Sequence, residues 1–327
     1  MNGMRVIRIV LLLVSGLASA NDPGSRNAVP DIDESGLVVV LVMGEQPGPG
    51  LWKVSSGEHV LWILGEVSPI PRRVEWRSRR FEKLMRNSQE LLLDLSGFWR
   101  ASATEMSAYR QVEKLPRGTS LKDVIPPELH ARVRTTARKF GAFELEELRP
   151  FAATNRLVVS AMRTLGLKGF SARFEAEDLA KEYDVRITYF AAPEPPFEKR
   201  LATWQHESNA ECLEAVVDAL GDGGAGVKRL ANAWSVGSID EMRGLVPLFS
   251  FSRDGLRAGE CAAAMRGGER QLRDYDVRRM TGWLEEAERA LRDNRSTMAV
   301  VLMSELFAPD GYLAALRARG YDVVEPQ

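Results

Sequence analysis

Segments with the composition of buried β-strands stand near both ends of this chain, and the long stretch between them is patterned mostly for helices. Residues 37–43 are a continuous valine-rich apolar run. Residues 51–54 and 59–64 are shorter runs separated by Ser55-Ser56-Gly57-Glu58, which marks a hairpin. The preceding Gly44-Glu45-Gln46-Pro47-Gly48-Pro49-Gly50 suits neither a helix nor a central strand. Residues 91–95 and 185–190 read as further strands, and residues 297–303 and 321–324 as the last two. Strands so far apart in sequence cover their faces most simply by joining one sheet. The expected fold is α/β, a mixed central β-sheet built from N- and C-terminal strands and covered by many α-helices.

Periodicity and breakers locate the helices. Residues 72–88 place Trp76, Phe81, Leu84 and Met85 on one side of a helix rich in arginine. Pro126 and Pro127 open a second helix that Gly141 ends; others cross residues 157–162 and 175–183. From residue 198 to about 292 the pattern is helical again, broken at 221–226 and at Gly267-Gly268. Its last part puts Met280, Leu284, Ala287 and Leu291 on one face, and pairs Glu285 with Arg289 and Glu288 with Arg292. Residues 309–319 form a final helix stopped by Gly320. This is the organisation of a single domain over residues 37–327 with a mostly helical middle insert at about 120–293.

Residues 1–8 carry Arg5 and Arg8 and no acid, residues 9–14 are wholly apolar, and Ala18-Ser19-Ala20 supplies the small residues of a signal-peptidase site. Residues 1–20 are expected to be a signal peptide cleaved after Ala20, and residues 21–36 a flexible lead-in. The apolar run falls well short of the roughly 20 residues that span a bilayer, so the mature chain is expected to be periplasmic or secreted, with no transmembrane segment. Lysine plus arginine number 44 and aspartate plus glutamate 45; without Arg5 and Arg8 the balance is 42 against 45, and no global field favours nucleic acid as a partner. With 45% apolar and 27% charged residues, the chain is neither a disordered tail nor a polytopic membrane protein.

Cys212, Cys261, His59, His130 and His206 are too scattered for a structural zinc site. In an oxidising compartment Cys212 and Cys261 can form a disulfide closing a loop of about 50 residues, worth roughly 4 kcal/mol in the chain-entropy model. The plainer alternative is two buried thiols that never meet.

Gly50-Leu51-Trp52-Lys53-Val54, the hairpin that follows, residues 59–65 and a proline-bearing loop together resemble the opening of the TraB/GumN family, in the superfamily of the Tiki-like and ChaN-like proteins. The closing Glu305-Leu306, Pro309-Asp310-Gly311, Leu316 and Arg319-Gly320-Tyr321-Asp322-Val323 resemble that family's last motif, and Ala233-Trp234 with Gly237 fits between them. The resemblance implies an α/β fold in which two Gly-x-x-His motifs, one after the first hairpin and one at the end of the late strand, meet acidic residues. In the Tiki branch that constellation is associated with metal-dependent peptide hydrolysis, where a divalent ion activates a bound water or polarises a carbonyl.

This sequence departs from that pattern. Gly65 is kept, but the first histidine position is Ser68, and the second motif reads Leu302-Met303-Ser304-Glu305. The acid expected after the first helix falls on Asp94; the one expected after the 185–190 strand falls near Tyr189. A hydroxyl is a poor ligand for zinc or manganese. The resemblance therefore implies a degenerate site with no metal expected, its catalytic residues unknown beyond the altered positions Gly65, Ser68 and Glu305. Its ligand pocket would lie at Glu66, Ser68, Asp94 and Glu305, and its function would be that of a pseudoenzyme that binds an envelope ligand, peptide or protein. The alternative is an active hydrolase in which Glu66, Asp94 and Glu305 hold divalent manganese, cobalt or zinc. The plainer reading makes those three a surface acid, a strand-end acid and a helix-flanking acid that share nothing.

Two other features have bland readings. Ser68 as a nucleophile lacks a Gly-x-Ser-x-Gly turn and a histidine tied to it by any local signature. Arg72, Arg73, Arg77, Arg79, Arg80, Lys83 and Arg86, with Trp76 and Phe81 among them, read as a solvated helix face, an anionic polysaccharide or lipid head group being the other use.

Overall fold

The computed structural model describes residues 48–96, 102–169, 171–205, 210–249 and 269–326. The expected signal peptide, the lead-in, the strand at 37–43, His206, Cys261 and the Gly267-Gly268 break lie outside these residues.

Strands β1 (Leu51–Ser56) and β2 (His59–Glu66) form the expected hairpin, with Gly57 at φ +59° turning the chain between Ser56 and its partner His59. Strand β3 (Ile70–Pro71) pairs with β5 (Leu167–Lys168) in a separate two-stranded sheet. Helix α1 (Arg79–Arg86) leads into β4 (Glu90–Asp94). Helices α2 (Ala103–Val112), α3 (Leu121–Val124), α4 (Pro127–Phe140) and α5 (Pro150–Thr164) follow, then α6 (Ser171–Glu182) and β6 (Arg186–Phe190). Helices α7 (Phe197–Trp204), α8 (Ala210–Ala219), α9 (Ala225–Ser235), α10 (Ile239–Phe249) and the long α11 (Glu269–Asp293) precede β7 (Ser296–Leu302). The chain closes with α12 (Met303–Phe307), α13 (Tyr312–Ala318) and β8 (Asp322–Val324). No helix among the described residues is long and apolar enough to cross a membrane.

The main sheet has the order β6-β4-β7-β2-β1-β8, so the strands from both ends of the chain do share one mixed sheet. Strands β6, β4, β7 and β2 are mutually parallel, while β1 runs antiparallel to both β2 and β8. The parallel strands β4 and β7 are near-continuous apolar runs because both their faces are covered. Leu61, Ile63, Leu91, Leu92, Met298 and Val300 are fully buried there, with Trp52, Trp283 and Ala287 packed into the same core. A second apolar cluster joins α4, α5 and α8 through Leu129, Val133, Phe140, Leu157, Leu213 and Val216. Cys212 is buried on α8.

Three expectations need correction. The helix expected over residues 72–88 begins only at Arg79, because the Arg72 amide donates to the Gly166 carbonyl and the Val74 amide to the Pro71 carbonyl, which ties this stretch into a turn. Ser78 then caps the helix by accepting from the Phe81 amide at 3.2 Å. Trp76 still packs on Phe81 and Trp234, at ring separations of 5.0 and 5.5 Å, but from outside the helix. Neither expected pair on α11 forms. Arg289 instead reaches Glu90 and Glu286, while Glu288 receives Arg319. The strand expected to end at Met303 stops at Leu302, and the helix expected from Pro309 starts at Tyr312, with α12 inserted before it. The chain crosses itself between them: a Cβ on Gly311 would stand 2.1 Å from the Glu305 carbonyl oxygen.

Candidate functional site

Adjacent parallel strands release their carboxyl ends on the same edge of a sheet, where open α/β folds place their ligands. Here β4, β7 and β2 are neighbours, with Glu66 in register with Leu302 and Leu93 with Val300. Glu66 ends β2, Asp94 ends β4, and Glu305 lies in α12 directly after β7. The three acids that the resemblance singled out therefore meet at one edge. Glu66 is 1% exposed, Asp94 4% and Glu305 2%, so the reading of Glu66 as a surface acid is wrong, and Glu305 sits inside a helix rather than beside one.

Packing explains several motif residues without invoking catalysis. A Cβ on Gly65 would lie 2.6 Å from Met303 Cε and 2.9 Å from Leu306 Cδ1. The Gly65 carbonyl accepts the Trp234 indole N–H at 2.6 Å. Gly237 has φ +74° and stands against the Gly48 carbonyl, where a Cβ would come within 3.0 Å. Trp234 thus clamps α9 onto the end of β2, Gly65 makes room there for α12, and Gly237 lets the chain after α9 lie against the segment that leads into β1.

Two buried arginines, neither of them singled out from the sequence, complete the site. Arg173 on α6 is 1% exposed; its Nε donates to Glu66 Oε2 at 2.6 Å and its backbone amide to Glu66 Oε1 at 3.3 Å. Its Nη1 donates to the Asp94 carbonyl at 2.7 Å. The Asp94 carboxylate accepts the Ser96 amide at 2.8 Å on Oδ1 and the Tyr312 hydroxyl at 2.8 Å on Oδ2. The Tyr312 ring stacks on Trp283 with centroids 4.0 Å apart and planes 10° from parallel. The guanidinium of Arg279 on α11 lies 5.5 Å from the centre of that same ring, and its Nη1 is 2.5 Å from Glu305 Oε1. Glu66, Arg173, Asp94, Tyr312, Arg279 and Glu305 form one buried network.

Its electrostatics follow from burial. Desolvation raises the Glu66 carboxyl above its ordinary range even with Arg173 bonded to it. Burial also pushes the Tyr312 phenol well up, and the neighbouring Asp94 adds to that, so the hydroxyl remains a donor. Burial acts to lower Arg279, but Glu305, Tyr312 and Asp94 outweigh it and keep this guanidinium a firm cation.

A divalent ion does not fit this donor set. Both oxygens of Glu66 and both of Asp94 are engaged by N–H or O–H donors, and Glu305 faces a guanidinium. Among the described residues, no three carboxylate, imidazole or thiolate side chains converge on a point that an ion could occupy. The positive charge that an ion would bring is already supplied by Arg173 and Arg279. Ser68 is buried just beyond β2. His59 Nδ1 is 2.8 Å from the Asn294 carbonyl and His130 Nε2 is 2.7 Å from Glu146, so both histidines are engaged elsewhere. Tyr189, where the family's further acid was expected, is half exposed and donates to Glu177 at 2.9 Å.

Beside the network lies a cavity of about 260 Å³ lined by Asp276, Arg279, Met280, Thr281, Glu305 and Asp310, among others. The arginine segment 72–86 lies elsewhere, with its basic residues exposed and Trp76, Phe81 and Met85 buried beneath them. Arg80 covers Trp62 at 6.0 Å and Arg86 donates to the Tyr183 hydroxyl at 3.1 Å.

The family model for TraB/PrgY/gumN proteins matches residues 50–325 of this chain. No curated protein and no solved structure matches it.

Proposed function

The chain belongs to the TraB/PrgY/gumN family, and from that premise we propose that it is an exported binding protein, holding an envelope ligand or protein without cleaving it. The observation that carries this reading is the engagement of Glu66, Asp94 and Glu305 by buried arginine and tyrosine donors. For hydrolysis through a metal, these acids would have to release Arg173, Tyr312 and Arg279, and separating buried ion pairs is strongly unfavourable. The two lost histidine positions, Ser68 and Glu305, point the same way. The cavity beside Arg279 is the ligand space in this reading.

The test is calorimetric titration of the purified mature chain with manganese, cobalt and zinc, alongside a peptide-cleavage assay. The expected result is no stoichiometric uptake and no cleavage. One ion per chain, with cleavage, both lost in Glu305→Ala, would overturn the reading in favour of a rebuilt carboxylate site. N-terminal sequencing of the mature protein tests export, with Asn21 as the expected first residue.

A further inference from the structure

Phe143 is 73% exposed, more than any other large apolar side chain among the described residues, and it borders a surface groove of about 600 Å³. The groove is lined by Tyr109 and Glu113 at the end of α2, by the turn that joins α4 to α5, and by one face of α5. Ala152, Arg156, Val159 and Arg163 recur at helical spacing on that face, while Leu157 and Ala161 on the far side enter the second apolar cluster. Val159 is itself half exposed. In the turn, Ala142 and Leu145 are buried, and Glu144 takes φ +61°, a left-handed conformation that a residue other than glycine rarely adopts. The backbone thus holds Phe143 and Glu144 outward together.

We propose that this face binds a second copy of the chain in a two-fold symmetric dimer, each copy placing Phe143 in the groove of the other. A two-fold interface is self-complementary, so the surface that inserts a group must also receive one. This face carries both halves: Phe143 is the insert, and Leu148, Ala152 and Val159 are the apolar part of the groove.

The charges agree. Glu113 and Glu144 balance Arg156 and Arg163, so the face favours neither a polyanion nor a polycation, whereas a second copy offers each sign its opposite. Glu144 is 84% exposed and stands 3.8 Å from its own Arg156, a surface pair that holds it loosely. Carried in beside the inserted Phe143, it meets the arginines of the other copy. Each inserted ring buries about 150–250 Å². Two such rings supply only part of the roughly 1,200–2,000 Å² buried in stable complexes, so the dimer is one that forms and dissociates with concentration.

The test is sedimentation equilibrium of the full mature chain over a wide range of concentration, with thermal unfolding of each variant beside it. The wild type is expected to pass from one chain to two as concentration rises. Phe143→Asp and Val159→Asp put a charge into the apolar contact at positions exposed in the single chain. Both are expected to weaken association at least about tenfold with the unfolding midpoint unchanged. Val236→Asp, which replaces an exposed valine outside the groove, is expected to leave association as it is. A wild type that stays single, a dimer indifferent to both groove variants, an equal loss in Val236→Asp, or growth beyond two chains would overturn the proposal. So would a single chain that takes up the apolar dye ANS only while Phe143 is present, since the groove would then belong to another occupant.

Discussion

Strand β4 carries a buried acid at each end, and the two edges of the sheet handle such acids differently. At the amino edge Glu90 is fully buried, yet it receives Arg289 at 2.5 Å, Arg186 at 2.9 Å and Asn294 at 2.5 Å, and both arginines keep part of their surface in water. Burial pushes its carboxyl up, but hydrogen bonds from Arg289, Thr188, Arg186 and Asn294 outweigh that and hold it at about 2. At the carboxyl edge Glu66 has one arginine, sealed with it away from solvent, and burial wins. The number of donors, and whether the cation stays hydrated, decides whether a buried acid strengthens a fold or strains it. The amino edge is a staple. The carboxyl edge holds a sealed ion pair that apolar side chains of similar volume could replace with little or no loss of stability.

The largest effect that would sharpen this contrast is Arg173→Met. Removing one partner of a sealed pair leaves a buried charge and should cost about 3–5 kcal/mol in denaturant unfolding. The double change Glu66→Leu with Arg173→Met should restore most of that loss. A single-variant cost below about 1 kcal/mol would break the comparison. Next is the acid limb of stability. The Glu90 carboxyl sits at about 2 when folded against 4.5 unfolded, so its contribution is complete above pH 4.5 and is lost as pH falls toward 2. That contribution is at most on the order of 3 kcal/mol, since Arg186 is largely hydrated. Glu90→Gln should flatten the stability–pH curve over that window, and an unchanged curve would contradict the assignment.

Tyr312→Phe keeps the stack on Trp283 and removes the hydrogen bond to Asp94, for an expected loss of about 2 kcal/mol. Trp234→Phe, which removes the donor to the Gly65 carbonyl, should cost about 1 kcal/mol from the bond itself. Losses in the reverse order would mean that the clamp on β2, and not the ion-pair network, organises this edge.

Much of the sheet is legible in the sequence because its strands are apolar runs with clear turn residues between them, and Ser55-Ser56-Gly57-Glu58 fixes the hairpin register. Glu66, Asp94 and Glu305 are legible as a group through the resemblance, since their strands end where the family's motifs fall. Arg173 and Arg279 are harder because arginine on a helix ordinarily points into water. Their spacing does carry a signal. Arg173 shares a helical face with the buried Ala176 and Ala180, and Arg279 with the buried Tyr275, Trp283 and Ala287. A cation at an apolar position of the period is a buried cation, and it needs an acid across the interface. Which acid it meets depends on tertiary register, and local pattern does not encode that. The same holds for Arg289, where local spacing favours Glu285 and the fold supplies Glu90 instead. The helix expected over residues 72–88 fails for a related reason: Arg72 is drawn into a backbone bond with Gly166, nearly a hundred residues away.

The central claim is that guanidinium groups, and not a metal ion, neutralise the acids at the carboxyl edge. Anomalous diffraction from crystals soaked in manganese tests it most directly. The account predicts no ordered manganese among Glu66, Asp94 and Glu305, with the Arg173–Glu66 and Arg279–Glu305 pairs intact. A strong anomalous peak coordinated by these carboxylates, with either arginine displaced, would contradict it.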